Sequence, residues 1–287
     1  MSPVDDILKE VRDLPTLPSA IARLSALVGD PSANADDFEA VIRPDPSLTA
    51  NLLRLANSAY FGLPREVGSV RQAVILLGIK RVFELAAGAS FTGVIPERIP
   101  GYGINATDFW QHSLAVAALS ERLASDLRVQ VPDMTFTAGL LHDIGKIAVG
   151  AYLQGRPEAL GDEARKEGVF LIDAERALMG FDHGEVGETV GEQWSLPPAI
   201  VQGARWHHAP GDAPPGADRT MIDLIHAADG LAHALGLGAD VGELSRRVDG
   251  GVIERLGIGV QRLERVAGET VDDIRAMGEL LASGAAV

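Results

Sequence analysis

Apolar positions recur every three or four residues along almost the whole chain, and few segments show the alternation of a strand. The stretch LPSAIARLSALVGD sets Ile21, Leu24, Leu27 and Val28 on one face, starts at Pro18 and stops at Gly29. Asp45 as N-cap and Pro46 at the first helical position open a second helix through SLTANLLRLANS. Ser69 caps VRQAVILLG, and IKRVFELAAGASF follows Gly78. The segment TGVIPERIPGYGINATD, rich in proline and glycine, suits a connector.

Longer helical patterns follow: DFWQHSLAVAALSERLASDL, VPDMTFTAGLLHDIGKIAVGAYL, FLIDAERALMG, DHGEVGETVGEQW, PPAIVQGARWHH and RTMIDLIHAADGLAHALGLG. A polar Pro/Gly loop, APGDAPPGAD, separates the last two, and the tail from about residue 252 predicts one or two further amphipathic helices. The expected fold class is therefore all-α. The expected organisation is a helical bundle in two parts, residues 1–95 and residues 104–287.

Composition narrows the function more than the fold. With 25 basic and 40 acidic residues the net charge is −15, which argues against an extended nucleic-acid surface, because phosphate contacts need clustered Lys and Arg. It leaves room for a small phosphorylated or nucleotide ligand in a local pocket. Cysteine is absent, so there is neither a disulfide framework nor a thiolate metal site. The start, MSPVDDILKEVRD, has no basic n-region, and no stretch of about 18 apolar residues exists. The expectation is a cytoplasmic protein without a membrane span.

The seven histidines change the picture: His112, His142, His183, His207, His208, His226 and His233. Imidazole together with carboxylate is the donor set for borderline divalent metals. His142 is followed by Asp143, and Asp229 stands inside the otherwise apolar IDLIHAADGLAHAL, where a lone buried carboxylate would be costly. A carboxylate can bridge two cations and an imidazole cannot, so Asp143 is the expected bridging ligand. If His142 and Asp143 both lie on one helix, they point about 100° apart, and the metal must sit near the helix edge between them. Lys146, four residues after His142, shares its face and would suit an anionic oxygen on the metals. Asp108 shares a face with His112 in the same way. Asp182 is the expected N-cap of a helix that begins at His183. Singly, each of these residues has an ordinary structural reading; His226 and His233, which lack a motif, are read as structural.

Other motifs fail. The GYG at Gly101–Gly103 is in the connector, ahead of the His–Asp pair; LGLG and LGIG lack the strand–turn–helix context of a dinucleotide loop, and there is neither a nucleophile elbow nor a Walker loop. Asn57 and Tyr60, in LLRLANSAYFG, are read as a helix stop in which Asn57 satisfies backbone groups, in preference to a partner surface.

The LPTLP start, DPSLT, LLRLANSAYFG, the LLG turn, FWQHSLAVA and LLHDIGK together resemble the HDOD domain, a bacterial signalling relative of the HD metal-dependent phosphohydrolases, over roughly residues 10 to 210. The resemblance implies an all-helical regulatory module, an HDOD-type sub-bundle packed on an HD-like one, with an unidentified signalling protein as partner. The histidine set is also similar to that of HD-GYP phosphodiesterases. Carried over, that likeness implies one ion held by His112, His142, Asp143 and Asp229 and a second by Asp143, His183, His207 and His208. Lys146 would contact phosphate, and Asp108 would take the place of an acidic ligand. The expected metal is iron, with manganese, zinc or nickel as alternatives, in one or two ions. The Glu and GYP signature expected after His207–His208 is missing. The leading expectation is thus a metal-binding signalling module. The alternatives are an active phosphodiesterase or phosphohydrolase, with Asp143 and Lys146 as catalytic residues acting on a nucleotide or cyclic dinucleotide, and an interaction module without metal.

Overall fold

The computed structural model describes residues 3–14, 19–91, 95–132, 134–166, 169–237 and 249–282. The helix start expected at Pro18, most of LPTLP, the first residues of the connector and the last glycine of LGLG lie outside them. As the periodicity predicts, the regular structure of the described chain is almost entirely α-helix. The first part holds α1 (Pro3–Asp13), α2 (Ser19–Val28), α3 (Ala35–Ile42), α4 (Pro46–Ala56), α5 (Val70–Leu77) and α6 (Ile79–Phe91). Asp45 accepts from the Leu48 amide and Ser69 from the Gln72 amide, the two caps expected from sequence. Helix α3 carries a signal that periodicity alone passes over: Asn34 and Asp37 form a reciprocal capping box.

The connector is not featureless. Strands β1 (Arg98–Ile99) and β2 (Ile104–Asn105) pair antiparallel, with Ile99 opposite Ile104. Gly101 and Gly103 adopt φ of 86° and 71°, a region open to glycine, and the tight turn they allow drives Tyr102 fully into the core. Beyond it come α7 (Ala106–Leu127), α8 (Thr135–Leu140), α9 (Gly145–Tyr152), α10 (Ala159–Ala164), α11 (Leu171–Met179), α12 (His183–Gln193), α13 (Pro198–Trp206), α14 (Arg219–Ala234), α15 (Gly250–Leu256) and α16 (Val260–Ala282).

Helix α7 is the spine. It is buried continuously from His112 to Ser120 and packs against α8, α14 and α16. A helix with little polar face belongs inside a core, where each fully buried Leu or Val contributes about 1.5–3 kcal/mol. The terminal helices cross between the two parts. Helix α1 lies on α9 and α12, while α16 reaches back from α7 to α4 and the one-turn helix Ala59–Phe61. A polar junction reinforces this contact. Arg81 of α6 bonds Glu84 at 2.6 Å and Glu121 of α7 at 2.8 Å, and the Tyr60 hydroxyl donates to Glu121 at 3.0 Å. No described helix is long and apolar enough to cross a membrane.

Asn57 ends α4 and closes the loop that follows it. Its Nδ2 donates to the Val67 carbonyl at 3.0 Å and its Oδ1 accepts the Val67 amide at 2.7 Å. Two hydrogen bonds from one side chain hold ten residues of chain together. Asn57→Ala should therefore lower unfolding free energy by about 1–2 kcal/mol in chemical denaturation; a variant as stable as the parent would show that the loop closes without them.

Candidate metal centre

The pattern VPDMTFTAGLLHDIGKIAVGAYL predicts one helix, but the structure breaks it. Helix α8 ends at Leu140, residues 141–144 form a turn, and α9 begins at Gly145. His142 and Asp143 therefore stand in a buried turn. The 100° between neighbouring helical side chains no longer limits them, and both face the same interior point. The break is set by a close approach. A Cβ on Gly145 would run into the His183 carbonyl and lie 2.6 Å from the Gly187 amide nitrogen, so only glycine lets the start of α9 meet α12 backbone to backbone.

Five elements then converge. His112 comes from the first third of α7, His142 and Asp143 from the turn, and His183 from the first turn of α12. His207 and His208 follow the end of α13, and Asp229 lies in α14. Asp182 caps α12 as expected, in a capping box with Glu185, which fixes where His183 projects. All seven sequence-selected donors are thus in one place. The two oxygens of Asp143 face different partners. Oδ1 lies 3.2 Å from His183 Nε2 and 3.6 Å from His207 Nε2. Oδ2 lies 3.4 Å from His142 Nε2 and 3.7 Å from His112 Nε2. Asp229 Oδ1 is 3.1 Å from His112 Nε2 and 3.9 Å from His142 Nε2, and His208 Nε2 is 3.1 Å from His183 Nε2. Two groups that can each hold an ion share the Asp143 carboxylate: one with His112 and His142, one with His183, His207 and His208.

Four outward nitrogens are tied down. Nδ1 of His112 meets the Leu237 carbonyl at 2.9 Å, that of His142 the Gly139 carbonyl at 2.7 Å, and that of His207 the Ala204 carbonyl at 2.9 Å. Nδ1 of His183 meets the Glu175 carboxylate at 2.8 Å. Each Nδ1 must carry a proton to bond an oxygen, so the Nε2 of a neutral ring is left as a lone pair aimed inward. The Nε2 atoms of His112 and His142 are buried without a hydrogen bond. This is the arrangement of metal-binding imidazoles, oriented by acceptors behind them.

The electrostatics demand positive charge at the centre. Burial disfavours ionising Asp143, yet His142 and Lys146 hold its carboxyl well below the usual carboxylate range. Burial also works against a charged His183, but Glu175 and Asp143 outweigh it and raise the imidazole to about 9, whereas burial takes His207 down to about 4. The Nζ of Lys146 is 2.7 Å from Asp143 Oδ2 and 5.5 Å from the Tyr102 ring centre, so it offsets the charge of the Asp143 carboxylate.

Two residues of the centre escape the sequence reading. Glu175 of α11 is fully buried; it accepts the Tyr102 hydroxyl, the His183 amide and His183 Nδ1, each at 2.8 Å. Its signal is an acid standing among Leu171, Ala174 and Met179 on the buried face of α11. Tyr102 belongs to the GYG segment, set aside for its place ahead of the His–Asp pair, whose tight turn has a structural purpose. One sequence assignment is corrected. Asp108 does not join the cluster; it sits at the N-terminus of α7, where Asn105 Nδ2 donates to it at 2.7 Å. A carboxylate in the first helical turn is stabilised there by the helix dipole and the capping residue. His226 is structural as expected, its nitrogens bonded to the His207 carbonyl and the Asp249 amide.

A profile of the HDOD domain matches residues 14–210, which take in His112 through His208 and stop short of Asp229. The chain is similar to an HDOD domain protein of unknown function from Geobacter sulfurreducens, with 26% identity, 96% of this chain and 99% of that one covered, and a TM-score of 0.75. It is similar to a candidate phosphohydrolase from Shewanella amazonensis, again at 26% identity, covering 96% and 98% with a TM-score of 0.74. An uncharacterised protein from Treponema pallidum is 25% identical over 218 residues, 72% of this chain; the match spans 40% of that relative's length.

Gly145→Ala should destabilise the protein by about 3 kcal/mol, since the added methyl meets backbone that cannot move aside. The same substitution should weaken metal uptake, because it parts the turn bearing Asp143 from the helix bearing His183. Denaturant midpoints and metal content of the purified variant check both.

Proposed function

Since the chain belongs to the HDOD domain family, we propose that it is a regulatory module of signalling that holds two divalent transition-metal ions. The carrying observation is the division of Asp143, one oxygen toward His183 and His207 and the other toward His142 and His112. In this reading His112, His142, Asp143 and Asp229 hold one ion, and Asp143, His183, His207 and His208 hold the other. Imidazole-rich sites with carboxylates suit iron, with manganese, zinc or nickel as alternatives. Glu175 keeps His183 in the tautomer that presents Nε2, and Lys146 offsets the charge of Asp143. The partner is a signalling protein; a small phosphorylated or nucleotide ligand is compatible with the same centre.

The likeness to the Shewanella candidate phosphohydrolase favours a second reading, hydrolysis of a nucleotide or cyclic dinucleotide with Asp143 and Lys146 as catalytic residues. A bound divalent ion supplies Lewis-acid polarisation and an acidified water for such a reaction. Against it stands the segment from Ala209 to Asp218. Its charged residues are Asp212 and Asp218, both of the wrong sign for gripping phosphate, and Asp218 is already engaged in capping α14.

Protein purified without a histidine tag, after growth with iron, manganese and zinc, should carry at least one equivalent of transition metal. Asp143→Ala should lose more of it than any single His→Ala variant. Chelation should lower the melting temperature, since an ion at a hundredfold excess over its Kd contributes about 2.7 kcal/mol to the native state. Metal well below one equivalent, or an unchanged melting temperature after complete chelation, would refute the reading.

Metal-loaded protein should leave cyclic di-GMP intact over hours of incubation. Metal-dependent turnover that vanishes in His142→Ala and Asp143→Ala would make the enzyme the correct reading.

A further inference from the structure

We infer that His233 is a metal ligand on the His112 side of the centre. The inference rests on the two-ion reading above and adds a donor to it. His233 lies in α14 four residues after Asp229, so the two share a helix face. Its side chain is 7% exposed, and both ring nitrogens are buried without a hydrogen bond. A neutral imidazole has one donor and one acceptor, and burying both unsatisfied is costly. His226, on the same helix, shows what a structural histidine looks like here: both its nitrogens are bonded to backbone. His233 has no such anchors.

What His233 does have is the geometry of a donor. Its Nε2 is 3.4 Å from Asp229 Oδ1, and its ring centre is 4.4 Å from that of His112. Donor atoms of His112, Asp229 and His233 all lie within 4.8 Å of one another. A metal with ligands at about 2.0–2.2 Å needs donors separated by about 3–4 Å, so modest adjustment brings these three onto one ion. With His233 the centre becomes balanced: three imidazoles, His112, His142 and His233, on one side of Asp143, and three, His183, His207 and His208, on the other. Asp229 adds a second carboxylate to the first side alone.

The test is a cobalt titration of metal-free, untagged protein, followed by the visible spectrum of bound Co(II). The parent should take up two equivalents. His233→Ala and His233→Gln, each as helical as the parent by circular dichroism, should keep one tight equivalent, bind the other on the order of tenfold or more weakly, and show altered cobalt bands. Glutamine can restore a hydrogen bond to Asp229 but not an imidazole ligand. A His233→Gln protein whose isotherm and spectrum superimpose on the parent's would therefore overturn the inference and leave the two-ion reading standing. A parent that binds no cobalt would overturn both.

Discussion

A carboxylate buried between two sets of inward-facing imidazoles cannot be left to itself, and much of this molecule follows from that constraint. Asp143 is shielded from solvent, so its charge must be met by charge. Lys146 meets part of it. A proton on His183, held there by Glu175, meets part of the rest. The anchored Nδ1 atoms of His112, His142 and His207 turn the other ring nitrogen toward the same point. Such a cluster of buried donors could hold a metal ion.

The backbone is shaped to permit this. Two helices, α8 and α9, replace the one that apolar spacing predicts, because the turn between them must deliver adjacent side chains into one cavity. Gly145 lets α9 touch α12 closely enough for Asp143 and His183 to meet. The hairpin β1–β2, small as it is, aims Tyr102 at Glu175, and Glu175 in turn orients His183. The chain thus reaches from the connector to the centre in two hydrogen bonds, which gives the junction between the two parts a direct hold on the histidine geometry.

Most of the helices were legible in the sequence because their caps are local: Asp45, Ser69 and Asp182 each announce a start within three residues. The donors were legible because histidine is scarce here and its placement is ordered. What escaped depends on contacts distant in sequence. Nothing near Glu175 says that Tyr102 will meet it; Asp108 is the exception, since Asn105, three residues before it, caps α7 and is a local signal. His233 looked like a structural histidine because the feature that sets it apart, two buried ring nitrogens without a hydrogen bond, exists only after α14 has packed on α7. The His142–Asp143 turn was hidden for a related reason: the apolar spacing runs straight through it, and the interruption answers to α12.

The docking of α1 has a consequence for how the protein is made. The Val11 carbonyl accepts from Gln193 Nε2 at 3.0 Å, and α1 lies against α9 and α12. At translation rates of about 5–20 residues per second, the ribosome takes roughly 10–35 s to produce the surface on which this first helix rests. During that interval Ile7 and Val11, nearly inaccessible to solvent in the finished fold, have no native seat. Helix α1 is therefore made well before the surface that buries it, and the nascent chain carries an apolar stripe there that chaperones can grip.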